Sequence, residues 1–227
     1  MKVCIVGGTG NIGVFLGEEL TRYNHKVAGL QRRREMVPIR IRDPRIRLWF
    51  GDIFDKNIVD EFLDGEKPDA VVVATAPERH CPERYIPGHL NVLDSCKERN
   101  IRNIIICSNH MGLDAPDGRP MMEAKPPHFT WFVDVQKVYG EEQRFMKNAK
   151  EYEDLDWRIF CPGLQCVPFG GYTGKFRIQE DKIIVKDPED PDWNTSRISY
   201  EDYISFLYQD LIEPDKEYRH KYITVSY

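Results

Sequence analysis

Long apolar runs are missing from this sequence. No stretch approaches the roughly 18 residues of a membrane-spanning helix, and an apolar strand pattern begins at Lys2, without the layout of a secretory signal. An excess of basic residues is missing too, because 32 Lys and Arg stand against 37 Asp and Glu, for a net charge of −5. We therefore predict a cytoplasmic protein with neither a membrane nor a nucleic acid as its partner.

Disulfide and metal-binding patterns are also missing. The six cysteines include no Cys-x-x-Cys pair, and most fall in apolar strand or helix patterns, as reduced core cysteines do. The six histidines are not clustered with cysteines and carboxylates at short spacing. We expect buried thiols and no bound metal.

What the sequence does contain is a glycine-rich turn between a strand and a helix. An apolar strand pattern over residues 2–6 is followed by Gly7, Gly8, Thr9, Gly10, Asn11, Ile12 and Gly13, and then by a helical pattern that ends near Arg22. Glycines at this spacing allow a tight turn, a close approach of the backbone to a pyrophosphate and close packing of helix on strand. The helix N-terminus attracts anions. We predict that these seven residues bind a dinucleotide.

The end of the second strand indicates which dinucleotide. Residues 25–30 form the strand pattern, and Gln31, Arg32, Arg33 and Arg34 follow it in place of an acidic residue. An acid at this point binds the ribose 2′-hydroxyl of NAD, whereas arginine accommodates the 2′-phosphate of NADP. We predict NADP(H), with Arg32 or Arg33 as the phosphate ligand. The alternative is a solvated basic loop, because further arginines continue the run.

Later strands supply further candidate contacts at their carboxyl ends, where ligands of open α/β sheets bind. Asp52 and Ile53, after a third strand at 47–50, are predicted to border the adenine, while Asp55 is a candidate helix cap. A fourth strand, 69–74, and a fifth, 103–107, are followed by small or polar residues. The predicted cofactor contacts here are Ala74, Thr75, Ala76 and Ser108.

A long loop after the fifth strand is the candidate substrate region. Loops of about twenty residues inside a domain are usually lids or binding loops. Met121, Met122 and Trp131 in this segment, with His110 before it and Tyr172 in a later glycine-rich connection, are the candidate substrate contacts. Local packing is the alternative for the apolar side chains. A structural role is the alternative for His110, because no carboxylate can be paired with it.

The order of the elements predicts the fold. Helix patterns over residues 56–63, 85–99 and 132–149, and another starting at 199, alternate with strands that include 156–161 and 221–227. Neither a repeat nor a low-complexity linker divides them. We predict one α/β domain over residues 1–227, a Rossmann-type doubly wound parallel sheet with a small C-terminal substrate-binding region at about 163–227.

Four segments, 7–13, 51–55, 155–163 and 197–202, resemble the atypical short-chain dehydrogenase/reductase group. The similarity is strongest to its NmrA-like and flavin/biliverdin-reductase-like NAD(P)H-binding members. It implies NADP(H) across the carboxyl edge of a Rossmann-type sheet, with Pro162 among the cofactor contacts. It also implies a small-molecule substrate between that edge and the C-terminal segments.

The usual catalytic set of that superfamily is incomplete here. It combines a Tyr, a Lys four residues later and a Ser near the end of strand five. Ser108 and Lys137 match, so the resemblance implies that both are catalytic and contact the cofactor. Val133 stands where the Tyr is expected, and Tyr139 has Gln143, not lysine, four residues later.

The predicted function is an NADPH-dependent oxidoreductase that transfers a hydride to a small carbonyl, enone, quinone or flavin-like substrate. The histidine that biliverdin-reductase-like members carry after the proline is replaced by Gly163 and Leu164, which weakens the flavin or biliverdin assignment. The alternatives are an NADP-sensing regulator without activity, favoured by the missing Tyr, and an epimerase, dehydratase or isomerase that retains its nicotinamide. A monomer and a homodimer both remain open.

Overall fold

The computed structural model describes residues 1–36, 41, 43–78, 80–124, 133–185 and 196–227, which form an α/β fold around an eight-stranded sheet. The strands are β1 (Lys2–Val6), β2 (Lys26–Gln31), β3 (Arg47–Phe50), β4 (Ala70–Val73), β5 (Asn103–Cys107), β6 (Asp156–Pro162), β7 (Gln165–Val167), β8 (Arg177–Glu180), β9 (Arg197–Ser199) and β10 (Tyr222–Ser226). The helices are α1 (Asn11–Arg22), α2 (Lys56–Glu66), α3 (Tyr85–Glu98), α4 (Met121–Ala124), α5 (Val133–Asn148) and α6 (Tyr200–Ile212).

The main sheet has the strand order β3-β2-β1-β4-β5-β6-β10-β8. Its strands pair in parallel except β8, which runs antiparallel to β10. The order reverses between β1 and β4, and that reversal opens a crevice at the carboxyl edge where ligands bind. The prediction of a Rossmann-type doubly wound sheet is confirmed.

Helices cover both faces because the central strands are apolar on both sides, as in β4, where all four residues are buried. On one face α2, α3 and α5 bury Phe62, Leu63, Val92, Leu93, Val138, Tyr139 and Met146. On the other face α1 and α6 bury Leu16, Leu20, Tyr203, Phe206 and Leu207. The apolar stripe of the last helix, α6, therefore packs against the sheet.

All six cysteines are free thiols, and four of them are core residues, Cys4, Cys96, Cys107 and Cys161. Burial raises the pKa of Cys96 to about 12. The expectation of buried thiols is confirmed for these four, while Cys81 and Cys166 are only partly buried.

Several short strands were not predicted. β7 and β9 pair in parallel as a separate two-stranded sheet, and β8 joins the edge of the main sheet beside β10. Side chains along β8 are all exposed. A strand that buries no face carries no hydrophobic alternation, so its sequence gives no strand signal.

A buried carboxylate fixes the glycine-rich connection to the last helix. Asp202 accepts hydrogen bonds from Thr173 N at 2.9 Å, Thr173 Oγ1 at 2.5 Å, Gly174 N at 2.8 Å and the Tyr227 hydroxyl at 2.7 Å. Burial alone would raise the pKa of Asp202, but these donors outweigh it and lower the pKa below its ordinary value.

Replacing Asp202 by asparagine is expected to lower the free energy of unfolding by about 2–3 kcal/mol near neutral pH, because hydrogen bonds to a charged acceptor are lost. A lowered folded-state pKa means that this stabilisation is present above the unfolded value of about 3.9 and is lost as pH falls through the folded value. Urea unfolding at several pH values measures it. The exposed Glu213 on the end of the same helix provides the control, Glu213→Gln. If the difference in the free energy of unfolding between Asp202→Asn and the unmutated protein stays constant down to pH about 3, the lowered pKa of Asp202 is contradicted.

Candidate active site at the carboxyl edge of the sheet

A cleft of about 560 Å³ lies at the carboxyl ends of β1, β2, β4, β5 and β6. This volume is typical of small-molecule and cofactor sites, which span about 300–1,000 Å³. Most of the predicted cofactor residues line it: Gly7, Thr9, Gly10, Asn11, Ile12, Arg32, Arg33, Asp52, Ile53, Ala74, Thr75, Ala76, Ser108 and Pro162. The structure thus brings together residues that lie far apart in the sequence.

The glycine turn is packed too closely for side chains. Gly7 has φ +88°, and a Cβ there would lie 2.5 Å from the carbonyl oxygen of Ala74. A Cβ on Gly13 would lie 2.4 Å from the carbonyl oxygen of Gly7. Gly8 and Gly13 do not line the cleft. The turn therefore lets α1 begin directly against β1.

The first turn of α1 is suited to an anion. Its N-cap, Gly10, supplies no side-chain hydrogen bond, and the turn contains no acidic residue. The positive end of the helix dipole consequently faces the cleft without a competing carboxylate on its own helix.

Basic side chains border the cleft at the end of β2. Arg32 forms an ion pair with Glu78, and Arg33 is exposed, with both arginines on the cleft wall. Gln31 lies beside them and is 3% exposed. Within the described residues neither amide atom of Gln31 has a hydrogen-bond partner. A buried amide left unpaired in a cleft is a group that a polar ligand can satisfy.

Asp52 and Ile53 line the adjoining wall. Asp52 Oδ1 accepts a hydrogen bond from Phe54 N at 3.2 Å, and Asn91 Nδ2 donates to the carbonyl oxygen of Ile53 at 2.8 Å. Asp55 caps α2 by accepting from Asn57 N at 3.0 Å. The predicted helix cap is confirmed.

At the end of β5 the cleft is lined by residues that carry hydroxyl groups. Ser108 follows β5, and its backbone N–H bonds the carbonyl oxygen of Phe160 on β6. Tyr139 from α5 and Tyr85 from α3 border the same end of the cleft. Burial, and then the charge of Glu142, raise the pKa of Tyr139, so its phenol remains protonated at neutral pH.

Behind this end lies a chain of hydrogen-bonded side chains. Ser108 Oγ donates to Glu142 Oε2 at 2.8 Å, Glu142 Oε1 lies 2.7 Å from His89 Nδ1, and His89 Nε2 lies 2.7 Å from Thr75 Oγ1. Glu142 is 2% exposed and His89 3% exposed. Ser108 and Thr75, the two ends of this row of hydrogen-bonded side chains, line the cleft.

Some predicted site residues do not line the cleft. The side chain of Lys137 is exposed on α5. Met121 is 1% exposed and belongs to the core under α4, and Tyr172 is 65% exposed. His110 starts a short 3-10 turn. None of these four lines the cleft, so packing, the alternative for Met121, is the arrangement observed.

Two further predicted substrate contacts cannot be placed. Trp131 and the side chain of Met122 lie outside the described residues. Their predicted contact with a substrate stays a prediction.

Sequence reasoning missed Tyr85, His89, Tyr139 and Glu142. Spacings of i, i+4 on α3 and i, i+3 on α5 place each pair on one helix face, which is the signal that could have found them. In the sequence, the glutamine four residues after Tyr139, Gln143, argues against Tyr139 because a lysine is expected there. The structure instead places Glu142, one residue earlier, behind the site.

Two absences concern only the residues that the structure describes. No group of three or more His, Cys, Asp or Glu side chains among them is arranged to hold a metal ion. None of their helices combines the length and apolar character needed to cross a membrane.

Comparisons with known proteins identify similar sequences and similar folds. A curated UDP-glucose 4-epimerase from Lactobacillus helveticus is 27% identical over 194 residues, which cover 80% of this chain and 56% of that protein. The chain spans about half the length of the curated relatives it matches.

Solved structures match over the whole chain. A candidate epimerase from Bacteroides thetaiotaomicron has a TM-score of 0.81 at 23% identity, covering 100% of this chain and 96% of its own. A candidate NADH-flavin reductase from Streptococcus pneumoniae TIGR4 has a TM-score of 0.72 at 18% identity, covering 100% and 99%. At these identities the likeness shows the fold.

The family is shown by a match of residues 7–186 to the NAD(P)H-binding family. These residues run from the glycine turn through β8, and they include both ends of the hydrogen-bonded chain behind the cleft. This chain is a member of the NAD(P)H-binding family.

Proposed function

We propose that the protein is an NADPH-dependent reductase that transfers a hydride to a small carbonyl, enone, quinone or flavin-like substrate. The observation that carries the proposal is the pair of hydroxyls, Ser108 and Tyr139, at the β5 end of a cleft that begins at the glycine turn. Hydrogen-bond donors at this position can stabilise negative charge on a substrate oxygen.

The residues fit a dinucleotide. The turn has no room for a Cβ at Gly7 or Gly13, and the buried amide of Gln31 lacks a partner among the described residues. Gly10 and the first turn of α1 would hold the pyrophosphate. A reduced nicotinamide, when bound, supplies a hydride.

The chain's own residues would orient the substrate. Tyr139 keeps its proton because burial and Glu142 raise its pKa, so it would donate a hydrogen bond to the substrate oxygen. The buried ring of Tyr85, 3% exposed, would help to exclude water. Cys166 and Tyr200 reach the cleft from the C-terminal part of the chain, which supports our proposal that residues of about 163–227 bind the substrate.

NADPH preference is tested by replacing Arg32 and Arg33 together with alanine. We expect the affinity for NADPH to fall about 10- to 100-fold, because charge-assisted bonds to the 2′-phosphate contribute about 1.5–3 kcal/mol. NADH affinity should change little. Fluorescence titration with both cofactors measures the difference.

Arg34→Ala is the matched control, since the Arg34 guanidinium lies 4.4 Å from the centre of the Phe50 ring and does not line the cleft. Arg32 must exchange Glu78 for the phosphate as its partner. Equal affinities for NADPH and NADH in the unmutated protein would contradict the proposed preference.

An epimerase that retains its nicotinamide is the second candidate, favoured by the UDP-glucose 4-epimerase relatives. NADPH consumption with a panel of carbonyls, enones, quinones and flavins, and product formation from UDP-sugars without net consumption, separate the two. Tight NADPH binding without turnover of any substrate would instead favour a cofactor-sensing regulator.

A further inference from the structure

We propose that Glu142 and His89 hold one transferable proton behind Ser108 and deliver it through Ser108 to the oxygen of a carbonyl substrate. This inference rests on the proposed reductase function. It assigns the proton source in a chain whose Tyr139 is followed by Gln143 in place of the usual lysine. Both residues act through Ser108 and are therefore positioning residues.

Glu142 is deeply buried, and this burial is the first reason to place a proton on the pair. Its carboxyl is 2% exposed, and within the described part of the chain its ion pair is with His89. An ionised carboxylate without a counter-charge is very costly in a buried site. The pair therefore keeps one proton, either as imidazolium beside carboxylate or as imidazole beside carboxylic acid.

The other acidic groups around Glu142 keep their own protons and do not supply the proton of the pair. Tyr85 on α3, Cys161 on β6 and Tyr222 on β10 all have pKa values raised well above their ordinary values, by burial first and by the charge of Glu142 next. Tyr139, on the same helix as Glu142, behaves likewise. These four acids stay neutral at physiological pH.

Among the described residues, Asp181 is a further charged group that acts on this cluster, and it forms an ion pair with Lys147. Asp181 contributes weakly to the raised pKa values of Cys161 and Tyr222. Lys147 Nζ lies 2.9 Å from Asp181 Oδ1. Within the described residues, this leaves the hydrogen-bonded pair of His89 and Glu142 as the holder of the proposed proton.

Ser108 connects the pair of Glu142 and His89 to the cleft. With Glu142 ionised, the Ser108 hydroxyl donates inward, as in the 2.8 Å bond to Oε2. With Glu142 protonated, Oε2–H donates to Ser108 Oγ, and the Ser108 O–H is free to point to the substrate. The location of one proton therefore sets which way Ser108 donates.

The delivery step balances. As the substrate carbon gains a hydride, which a bound reduced nicotinamide would supply, its oxygen would take the Ser108 proton, and an O–H bond would form. Ser108 Oγ regains a proton from Glu142, which is left ionised beside a neutral His89. A solvent proton then returns through Thr75, which lines the cleft 2.7 Å from His89 Nε2. The net change is reduction of the carbonyl by one hydride and one proton.

A test that needs no turnover is nitrogen-15 NMR of the His89 ring and carbon-13 NMR of the Glu142 carboxyl at pH about 7. We expect either a protonated imidazole or a protonated carboxyl in the unmutated protein, and a neutral imidazole in Glu142→Gln. Glu141→Gln, on the exposed face of the same helix, should leave the His89 signals unchanged. A neutral imidazole beside an ionised carboxyl in the unmutated protein would overturn the proposal.

The second test uses whichever carbonyl substrate of the panel is turned over. Glu142→Gln should lower kcat about 100-fold, the usual contribution of a positioned proton donor, while the NADPH affinity stays within about twofold. Glu142→Asp, which keeps an ionisable group, should recover part of the rate and the pH dependence of kcat. A Glu142→Gln rate and pH profile equal to those of the unmutated protein would refute delivery through this pair.

The two tests separate the two proposals. If the pair holds a proton but no substrate is turned over, both the reductase function and the delivery step are refuted. Turnover without a proton on the pair would support the reductase function and refute proton delivery by Glu142 and His89. Because glutamine preserves a hydrogen bond to Ser108, a loss in Glu142→Gln with normal folding and NADPH affinity is the signature of proton transfer, which a packing role would not give.

Discussion

Gly13→Ala is expected to weaken NADPH binding at least about 100-fold, the equivalent of two lost charge-assisted hydrogen bonds. A Cβ at this position would lie 2.4 Å from the carbonyl oxygen of Gly7 and 3.0 Å from Gly8 Cα. Both neighbours are backbone atoms, so the turn itself must move. The movement separates the start of α1 from β1 and takes the N–H groups of the helix away from the pyrophosphate.

Gly140→Ala is the matched control. It lies within α5, and a Cβ there would be 3.9 Å from its nearest neighbour, the carbonyl oxygen of Met111. We expect unchanged NADPH affinity and a gain of about 0.5–1 kcal/mol in the free energy of unfolding, because alanine is favoured over glycine inside a helix. Fluorescence titration and urea unfolding of both variants make the comparison. Normal NADPH affinity in Gly13→Ala would show that this turn does not hold the cofactor.

The glycine turn could be predicted because its signal is local. A strand, a glycine spacing and a helix lie within the first 22 residues, and each glycine has a steric reason. The other cofactor contacts could be predicted from topology alone. Parallel strands end at the same edge, so residues that follow β2, β4, β5 and β6 meet there whatever their separation in sequence.

The proton-bearing residues could not be found in this way. His89 and Glu142 are 53 residues apart on different helices, and only the packing of α3 and α5 on one face of the sheet joins them. The position of Lys137 likewise depends on how its helix packs, which the sequence alone does not show. It lies two residues before Tyr139, which is about 200° around a helix of 3.6 residues per turn. Because Tyr139 faces the cleft, Lys137 is exposed.

Asp210→Ala is expected to lower the free energy of unfolding by about 3–5 kcal/mol, since it leaves a buried guanidinium without its counter-charge. Arg158 on β6 is 1% exposed and Asp210 on α6 is 4% exposed. Arg158 Nε donates to Asp210 Oδ2 at 2.8 Å, and Nη2 lies 2.7 Å from the same oxygen. Arg158 Nη2 also donates to Asn103 Oδ1 at 2.9 Å.

An exposed ion pair at the edge of the same sheet provides the control. Lys221 Nζ lies 2.8 Å from Glu180 Oε2, with side chains that are 37% and 49% exposed. We expect Glu180→Ala to cost less than about 1 kcal/mol, because solvent screens such pairs. Urea unfolding of both variants at neutral pH measures the difference. Equal losses would show that water reaches Arg158 as freely as it reaches Lys221.

The double variant Arg158→Leu/Asp210→Leu separates the cost of an unpaired charge from the value of the pair. If the loss in Asp210→Ala comes from the uncompensated guanidinium, removing both charges should recover much of the stability, since apolar side chains of similar volume often replace a buried pair at little cost. The recovery should be incomplete, because Asn103 Oδ1 and Asp215 N would also lose their partners. β5 begins at Asn103 and ends beside Ser108, so the pair anchors α6 to a strand whose far end lies at the cleft. A double variant that is as unstable as Asp210→Ala would instead mean that the network's hydrogen bonds, and not its charge balance, stabilise this part of the fold.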